Sequence, residues 1–239
     1  MHRTTVKVAD GALDANQTIA EANRADFDRA SVSVVNLMSA PGAGKTRLLE
    51  RALERAEGNR VGVLEGDVRG SLDADRLSLL HVPVVQINTD PAFGGECHLD
   101  ANMVRSAIPD LPLDEIDLLV IENVGNLVCP AEFRVGEHRR WMISSVAEGE
   151  DKPLKYPDMF AAADVMLLNK TDLLPYLRFD ADKAVEFALR VNPRLKVFRV
   201  SATTGEGFDG WLAWIESGLA AAAGGGENDH KENTLAAGY

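Results

Sequence analysis

The chain has 239 residues, 46% hydrophobic and 26% charged, which is enough for one sizeable α/β core. Its 37 acidic residues outnumber 25 Lys and Arg for a formal net charge of −12, which argues against nucleic acid or an anionic membrane as the main partner, since both select basic patches. No apolar run reaches the length of a membrane span, the start MHRTTVKVAD has no signal-peptide core, and two cysteines are too few for a disulfide framework. The expectation is a cytoplasmic protein whose thiols serve metal binding or chemistry.

In chain order, residues 12–30 are helix-prone, with Leu13, Ile19, Ala20 and Phe27 available to one face. The strand-like run VSVVNLM (32–38) leads into an expected helix over Lys45–Ala56, and RVGVLEGD (60–67) leads into a segment containing DADRLSLL. PVVQINT (83–89) precedes the stretch carrying Cys97, and IDLLVIEN (116–123) stops at a glycine turn. WMISSV, ADVMLLNK and LKVFRVSA follow, separated by helical stretches. Short, nearly continuous apolar strands alternating with helices predict an α/β fold, a mainly parallel central sheet with helices on both faces. In such sheets ligands bind at the carboxyl ends of the strands. The expected organisation is an N-terminal segment with a helix (1–30), one nucleotide-binding domain with an embedded metal site (31–219), and a small, polar, glycine-rich tail (220–239) expected to be disordered.

SAPGAGKT (39–46) lies after the first strand run and opens a helix, the setting of a phosphate-binding loop. Gly42 and Gly44 let backbone N–H groups approach phosphate oxygens, and with Ala43 and Arg47 they make up the expected cradle at a helix amino terminus. Lys45 is expected at the β- and γ-phosphates and Thr46 on Mg2+. The strict pattern has glycine where this chain has Ser39. An ordinary strand-to-helix turn is the plain alternative, and the flanking strand and helix make it the weaker one.

NKTD (169–172) closes a later strand run. A carboxylate at Asp172 would accept from guanine N1–H and the 2-amino group, donors adenine lacks, so GTP and GDP are the expected nucleotides. Asn169 is expected to brace the loop and Lys170 to lie along base and ribose. Ser201 and Ala202 of SAT (201–203) follow at the next strand end, where a backbone N–H near Ala202 would meet guanine O6. ENVG (122–125) has the pattern of a γ-phosphate-sensing turn: Glu122 near Mg2+ and the Gly125 N–H facing the γ-phosphate. Asp67 of EGD (65–67) is a candidate for the metal and the attacking water, or else a cap for the next helix. Lys45, Asp67 and Glu122 form the expected catalytic set.

The two cysteines are Cys97, beside His98, and Cys129, in ENVGNLVCPAE after Gly125. Thiolate and imidazole suit Zn2+ or Ni2+. Neighbours on a helix point about 100° apart, so one ion held by both Cys97 and His98 favours an irregular loop. Three ligands per chain do not close a tetrahedral site, and a two-fold axis would supply the rest. A buried inert thiol is the plain reading of either cysteine alone; clustering beside a switch favours metal. His81 and His138 are expected to be structural and surface residues respectively, with a minor ligand role open for His138.

The stretches MSAPGAGKTRLLE, EGDVRGSLDADRL, CHLDA, IENVGNLVCPAEF, EGEDKPLKYPDMF, LLNKTDLL and SATTGEGFDGW closely resemble the HypB family, the hydrogenase nickel-incorporation GTPases. The resemblance spans residues 12 to 215, and CHLDA with ENVGNLVCPA is its most specific part. It implies a P-loop fold of the SIMIBI class, GTP hydrolysis, a GTP-dependent homodimer, and a metal site at the dimer interface formed by Cys97, His98 and Cys129. It also implies delivery of nickel to a [NiFe]-hydrogenase large-subunit precursor, with a HypA-type chaperone as partner. The chain has neither an amino-terminal cysteine motif nor a histidine-rich stretch. Two rivals stand beside this reading: an accessory GTPase for another nickel enzyme such as urease, and a metal-storage protein with a vestigial nucleotide site. Adjacent Cys and His argue against the first, and the scarcity of Cys and His elsewhere argues against the second.

Overall fold

The computed structural model describes residues 10–55, 60–67, 76–77, 79–89 and 97–224. Strands β1 (Ser33–Ser39), β2 (Val61–Asp67), β3 (Val84–Asn88), β4 (Leu118–Glu122), β5 (Arg139–Ser145), β6 (Val165–Asn169) and β7 (Lys196–Arg199) form one sheet. Their order is β3-β2-β4-β1-β5-β6-β7, and every pairing is parallel. Parallel neighbours need crossovers. Among the described residues these include the helices α2 (Lys45–Leu53), α3 (Ala101–Ala107), α4 (Cys129–Glu132), α5 (Lys152–Lys155), α6 (Pro157–Ala162) and α7 (Ala181–Val191), while α1 (Asp10–Arg29) precedes β1 and α8 (Phe208–Gly224) follows β7. Helix α2 stops at Leu53, short of the expected Ala56, because the Arg55 N–H turns back to Ala52 O at 3.1 Å and tightens the last turn. Ala56 itself, the segment 68–75 with the first three residues of DADRLSLL, Ser78, Glu96 and the residues from 225 lie outside the described residues. Among the described residues no helix is long and apolar enough to cross a membrane.

The strands read as continuous apolar runs because both faces are covered. Val35, Leu37, Val120, Trp141, Ile143 and Leu167 face α2 and α8, meeting Leu48, Leu49, Phe208 and Trp211. Their alternates turn to the opposite face: Val34, Leu119 and Ile121 join Phe27 of α1 and Val104 of α3, while Met38, Met142 and Met166 join Met159 and Phe160 of α6. The register pairs Leu37 with Glu122 and Glu122 with Glu65, which brings the carboxyl ends of β1, β2 and β4 to one edge. The motifs converge there.

Helix α1 is fastened to the sheet by polar groups as well as by Phe27. The buried Asn23 donates to Ala101 O at 2.8 Å and Val135 O at 3.1 Å, and Arg24 donates to Glu137 O at 2.8 Å. His138 is a clamp in the same seam, not the surface residue expected. The Val34 N–H donates to its Nδ1 at 2.9 Å, so the proton sits on Nε2, which bonds Asp28 Oδ1 at 2.8 Å. Its place one residue before β5 hides this, since the partners lie on β1 and α1.

Burial first, and the nearby Arg24 and Arg139, hold the His138 pKa below its ordinary 6.5, although Asp28 pulls the other way. The unfolded chain therefore takes up this proton more readily than the folded one, so the contribution of His138 to stability is complete above about pH 6.5 and is lost as pH falls through the lowered folded value. His138→Gln should lower stability at pH 7.5 by about 1 kcal/mol, one net hydrogen bond, or about 2–4 °C in melting temperature for a chain of this size. Melting curves at pH 7.5 and 5.5 check it. The wild type should lose more stability between the two than the variant, and parallel losses would remove His138 from the account.

Candidate functional site

Strand β1 ends at Ser39, and the chain turns through Gly42 (φ 73°) and Gly44 (φ 96°) before α2 begins at Lys45. Both glycines occupy the left-handed region where a Cβ is strained. At Gly44 a Cβ would also stand 2.9 Å from Asn169 Nδ2. Ser39, the departure from the strict pattern, is in use: the Lys45 ammonium donates to its hydroxyl at 3.2 Å. Gly42, Gly44, Lys45, Thr46 and Arg47 line one wall of a cleft of about 650 Å3, counting space open to solvent, and Glu65, Asp67, Arg76, Glu122 and Gly125 line the rest. Ala43 is fully buried beneath the loop. Gly125 passes so close to the loop that a Cβ would lie 3.0 Å from Pro41 Cα and 3.5 Å from Lys45 Nζ. The turn after β4 thus rests against the place where phosphates would sit.

The cleft floor is acidic. Glu65 and Glu122 are register partners on adjacent strands, 2% and 3% exposed, and both reach the cleft, as does Asp67. The Thr46 hydroxyl donates to Glu122 Oε1 at 2.8 Å. Neighbouring buried carboxylates call for a cation, and this all-oxygen set beside a phosphate loop fits Mg2+. Glu65 is a member that motif reading missed; its place two residues before Asp67 on a strand, hence on the same face, was the available signal.

On the other side of the loop, Asn169 spans two loops, donating to Ala43 O at 3.0 Å and accepting from the Ala202 N–H at 3.2 Å. Lys170 adopts φ 64°, a left-handed conformation costing a non-glycine residue roughly 1–3 kcal/mol. It donates from Nζ to Gly42 O at 2.7 Å. Asp172 accepts from Ser201 Oγ at 2.5 Å. The NKTD and SAT loops are therefore brought together with the phosphate loop. The Ala202 N–H is taken by Asn169, so a donor to guanine O6 has to come from a neighbour in the same loop. Glu148, just after β5, also belongs to this edge. Burial pushes its carboxyl above the usual range against the pull of Lys152, Lys170 and Lys45.

Cys97, His98 and Cys129 lie with their ligand atoms all within 4.8 Å of one another. Cys97 and His98 occupy a bend ahead of α3, whose first turn is capped by Asp100 accepting from Met103 N at 2.7 Å. That irregular backbone lets adjacent side chains converge. His98 is buried against Phe133, ring centroids 4.1 Å apart. Cys129 opens α4, its sulfur 3.0 Å from that of Cys97. Hydrogen bonding to the Cys97 sulfur first, then burial, raises the Cys129 thiol pKa above its ordinary 9.0. Two thiols and an imidazole form a soft donor set suited to Ni2+ or Zn2+, with protons released on binding.

Two carboxamides join this cluster to the turn after β4. Asn126 donates to Cys97 O at 3.1 Å and accepts from the Val128 N–H at 2.8 Å. Asn123 accepts from the N–H groups of Leu99 and Val124, both at 2.9 Å. Asn123 and Asn126 flank Gly125 in the sequence motif, but nothing local indicated that they reach back to residues 97–99.

The comparisons with known proteins agree with this geometry. A family model described as CobW/HypB/UreG, nucleotide-binding domain, matches residues 33–199. The chain is 50% identical over 216 residues to the hydrogenase maturation factor HypB of Escherichia coli K12, covering 90% of this chain and 73% of that protein. It is 54% identical over 212 residues to HypB of Azotobacter vinelandii, covering 88% and 69%. The crystal structure of HypB from Archaeoglobus fulgidus matches with a TM-score of 0.79 at 37% identity, over 86% of this chain and 99% of that one. HypB from Helicobacter pylori in complex with nickel matches with a TM-score of 0.81 at 32% identity, over 91% and 100%. A seven-stranded parallel sheet bearing a phosphate loop, matched at this level over most of its length, places the chain in the HypB family of hydrogenase maturation factors, as a P-loop GTPase.

Proposed function

We propose that this GTPase couples its nucleotide state to a metal cargo. It takes up Ni2+ or Zn2+ on Cys97, His98 and Cys129, pairs into a homodimer with GTP bound, and passes nickel to a [NiFe]-hydrogenase large-subunit precursor in the cytoplasm, with a HypA-type chaperone as partner. Residues 31–219 are the unit that does this, with α1 bracing the sheet through Asn23 and Arg24. The observation that carries the reading is the pair of carboxamides, Asn123 and Asn126, that bind the γ-phosphate-sensing turn to the metal loop. The relative from Helicobacter pylori, solved with nickel, supports the choice of cargo. Val128, 56% exposed beside Cys129, and the exposed Cys97 put the metal cluster on a surface where a second copy can complete the ligand set.

In the reaction, water attacks the γ-phosphorus of GTP, the bond to the β-phosphate oxygen breaks, and GDP and phosphate leave. Mg2+, held by Thr46 and Glu122 with Asp67 and Glu65 close by, would neutralise charge on the phosphates. Lys45, already held in the loop by Ser39, supplies a fixed cation, and the loop N–H groups orient the chain of phosphates. Asp172, positioned by Ser201, selects guanine, with Asn169 and Lys170 holding its loop against the phosphate loop.

Asp172→Asn should weaken GTP binding by about a hundredfold or more and shift preference toward xanthosine triphosphate, whose base reverses the donor pattern. Competition binding with GTP, ATP and xanthosine triphosphate reads this directly, and an unchanged GTP preference defeats the base assignment. Lys45→Ala should cut turnover by about a hundredfold with the far-UV circular dichroism intact.

Coupling is tested by measuring Ni2+ affinity at equilibrium in the GDP and GTP-analogue states. The two should differ by about fivefold or more, with metal changing nucleotide affinity by the same factor. Asn126→Ala should bring the ratio toward one while metal and nucleotide each still bind. Cys97→Ala with Cys129→Ala should remove metal binding and spare nucleotide binding. Equal affinities in both states of the wild type, with the analogue shown to be bound, would make the cysteines a static site.

A further inference from the structure

Glu50 lies one helical turn beyond Thr46 on α2, so the two side chains share a face of that helix. The side chain of Glu50 is only 9% exposed, and a carboxylate so buried is costly unless it is paired and hydrogen-bonded. Two guanidinium groups pair with it. Arg47 donates from Nη1 to Oε2 at 3.1 Å along the helix. Arg76 bonds across from the chain beyond β2, with Nη2 on Oε2 at 2.8 Å and Nε on Oε1 at 2.8 Å. The second contact is the planar two-bond fork that fixes a guanidinium in both position and plane. Arg76 lines the phosphate cleft together with Lys45, Thr46 and Gly125.

We propose that Arg76 is a phosphate-binding residue of the GTPase site, a guanidinium supplied by the chain itself, and that Glu50 is its positioning residue. The charge of the cleft supports this. Its floor carries Glu65, Asp67 and Glu122, and a triphosphate adds further negative charge, so a magnesium ion and Lys45 leave the γ-phosphoryl oxygens short of cations. Negative charge on the transferring phosphoryl group and the leaving oxygen is what an arginine in cis stabilises in other GTPases. Arg47 is a poorer candidate, because its bond to Glu50 turns it along its own helix. Arg76 comes from outside the phosphate-loop helix, and the fork holds it at the cleft at little further entropic cost. The competing possibility is a strut, in which the fork only ties the chain after β2 to α2. A strut contributes the same stability with any nucleotide bound, whereas a phosphate ligand distinguishes GTP from GDP.

The test uses the full chain with Arg76→Ala, Arg76→Lys and Glu50→Gln. It measures equilibrium affinity for GDP and for a non-hydrolysable GTP analogue, and single-turnover GTP hydrolysis with Mg2+. Arg76→Ala should weaken the analogue relative to GDP by about tenfold and slow hydrolysis by about tenfold or more. Arg76→Lys keeps the charge without the fork, so it should recover part of the analogue affinity and little of the rate. Glu50→Gln leaves both guanidinium groups present but loosely held, so it should keep analogue affinity within about threefold and still slow hydrolysis. An affinity ratio and a single-turnover rate within about twofold of wild type in Arg76→Ala would overturn the proposal, whatever the melting temperature does. If that variant does not fold, unchanged ratio and rate in both Arg76→Lys and Glu50→Gln overturn it equally.

Discussion

The side chain of Asn123 is buried where β4 ends, and its carboxamide oxygen accepts from two backbone N–H groups, those of Leu99 and Val124. Its amide nitrogen donates to Asn36 on β1 at 3.2 Å. One planar group therefore ties together the strand that leads into residues 39–46, the turn at Gly125, and the loop that carries Cys97 and His98. A buried carboxamide cannot turn over or tilt without leaving a polar atom unsatisfied in a place water does not reach, a cost of about 1–3 kcal/mol per group. The rest of the site takes its positions from this constraint. Because Leu99 is held, His98 and Cys97 are held. Because Val124 is held, Gly125 lies flat against Pro41.

The electrostatic layout has a matching logic. The chain is acidic overall, and the strand ends carry the buried carboxylates of Glu65 and Glu122. Lys45, Arg47 and Arg76 line the same cleft as those carboxylates, while Lys152 and Lys170 lie near Glu148. The two groups of charges sit at different strand ends. The strand order separates them: β2 and β4 lie on one side of β1, β5 to β7 on the other.

Much of this was legible in the sequence because the motifs are short and local. SAPGAGKT, NKTD and the adjacent Cys97 and His98 announce their chemistry through spacing along a few residues, and the alternation of apolar runs with helices announces the parallel sheet. What was not legible depends on contacts between distant parts of the chain. His138 looked like a surface residue because its partners, Val34 and Asp28, lie far upstream. Asn126 gave no sign of gripping the Cys97 carbonyl. Arg76 and Glu50 belong to no motif reading, and only the fold places them in one fork. Motif spacing carries information about a backbone turn, but a side chain's partner across the sheet is set by register and layer packing.

The close approach of Gly125 to the phosphate loop bears on how such a protein can change over generations. A single added methyl group would meet the backbone of Pro41, which cannot rotate out of the way as a side chain can. Position 125 thus resists gradual adjustment: a side chain fits there only if the Pro41 backbone gives way by a few tenths of an ångström. Change at this edge is open instead at Asn126, whose bonds can be weakened one at a time, and at Val128, whose side chain faces solvent.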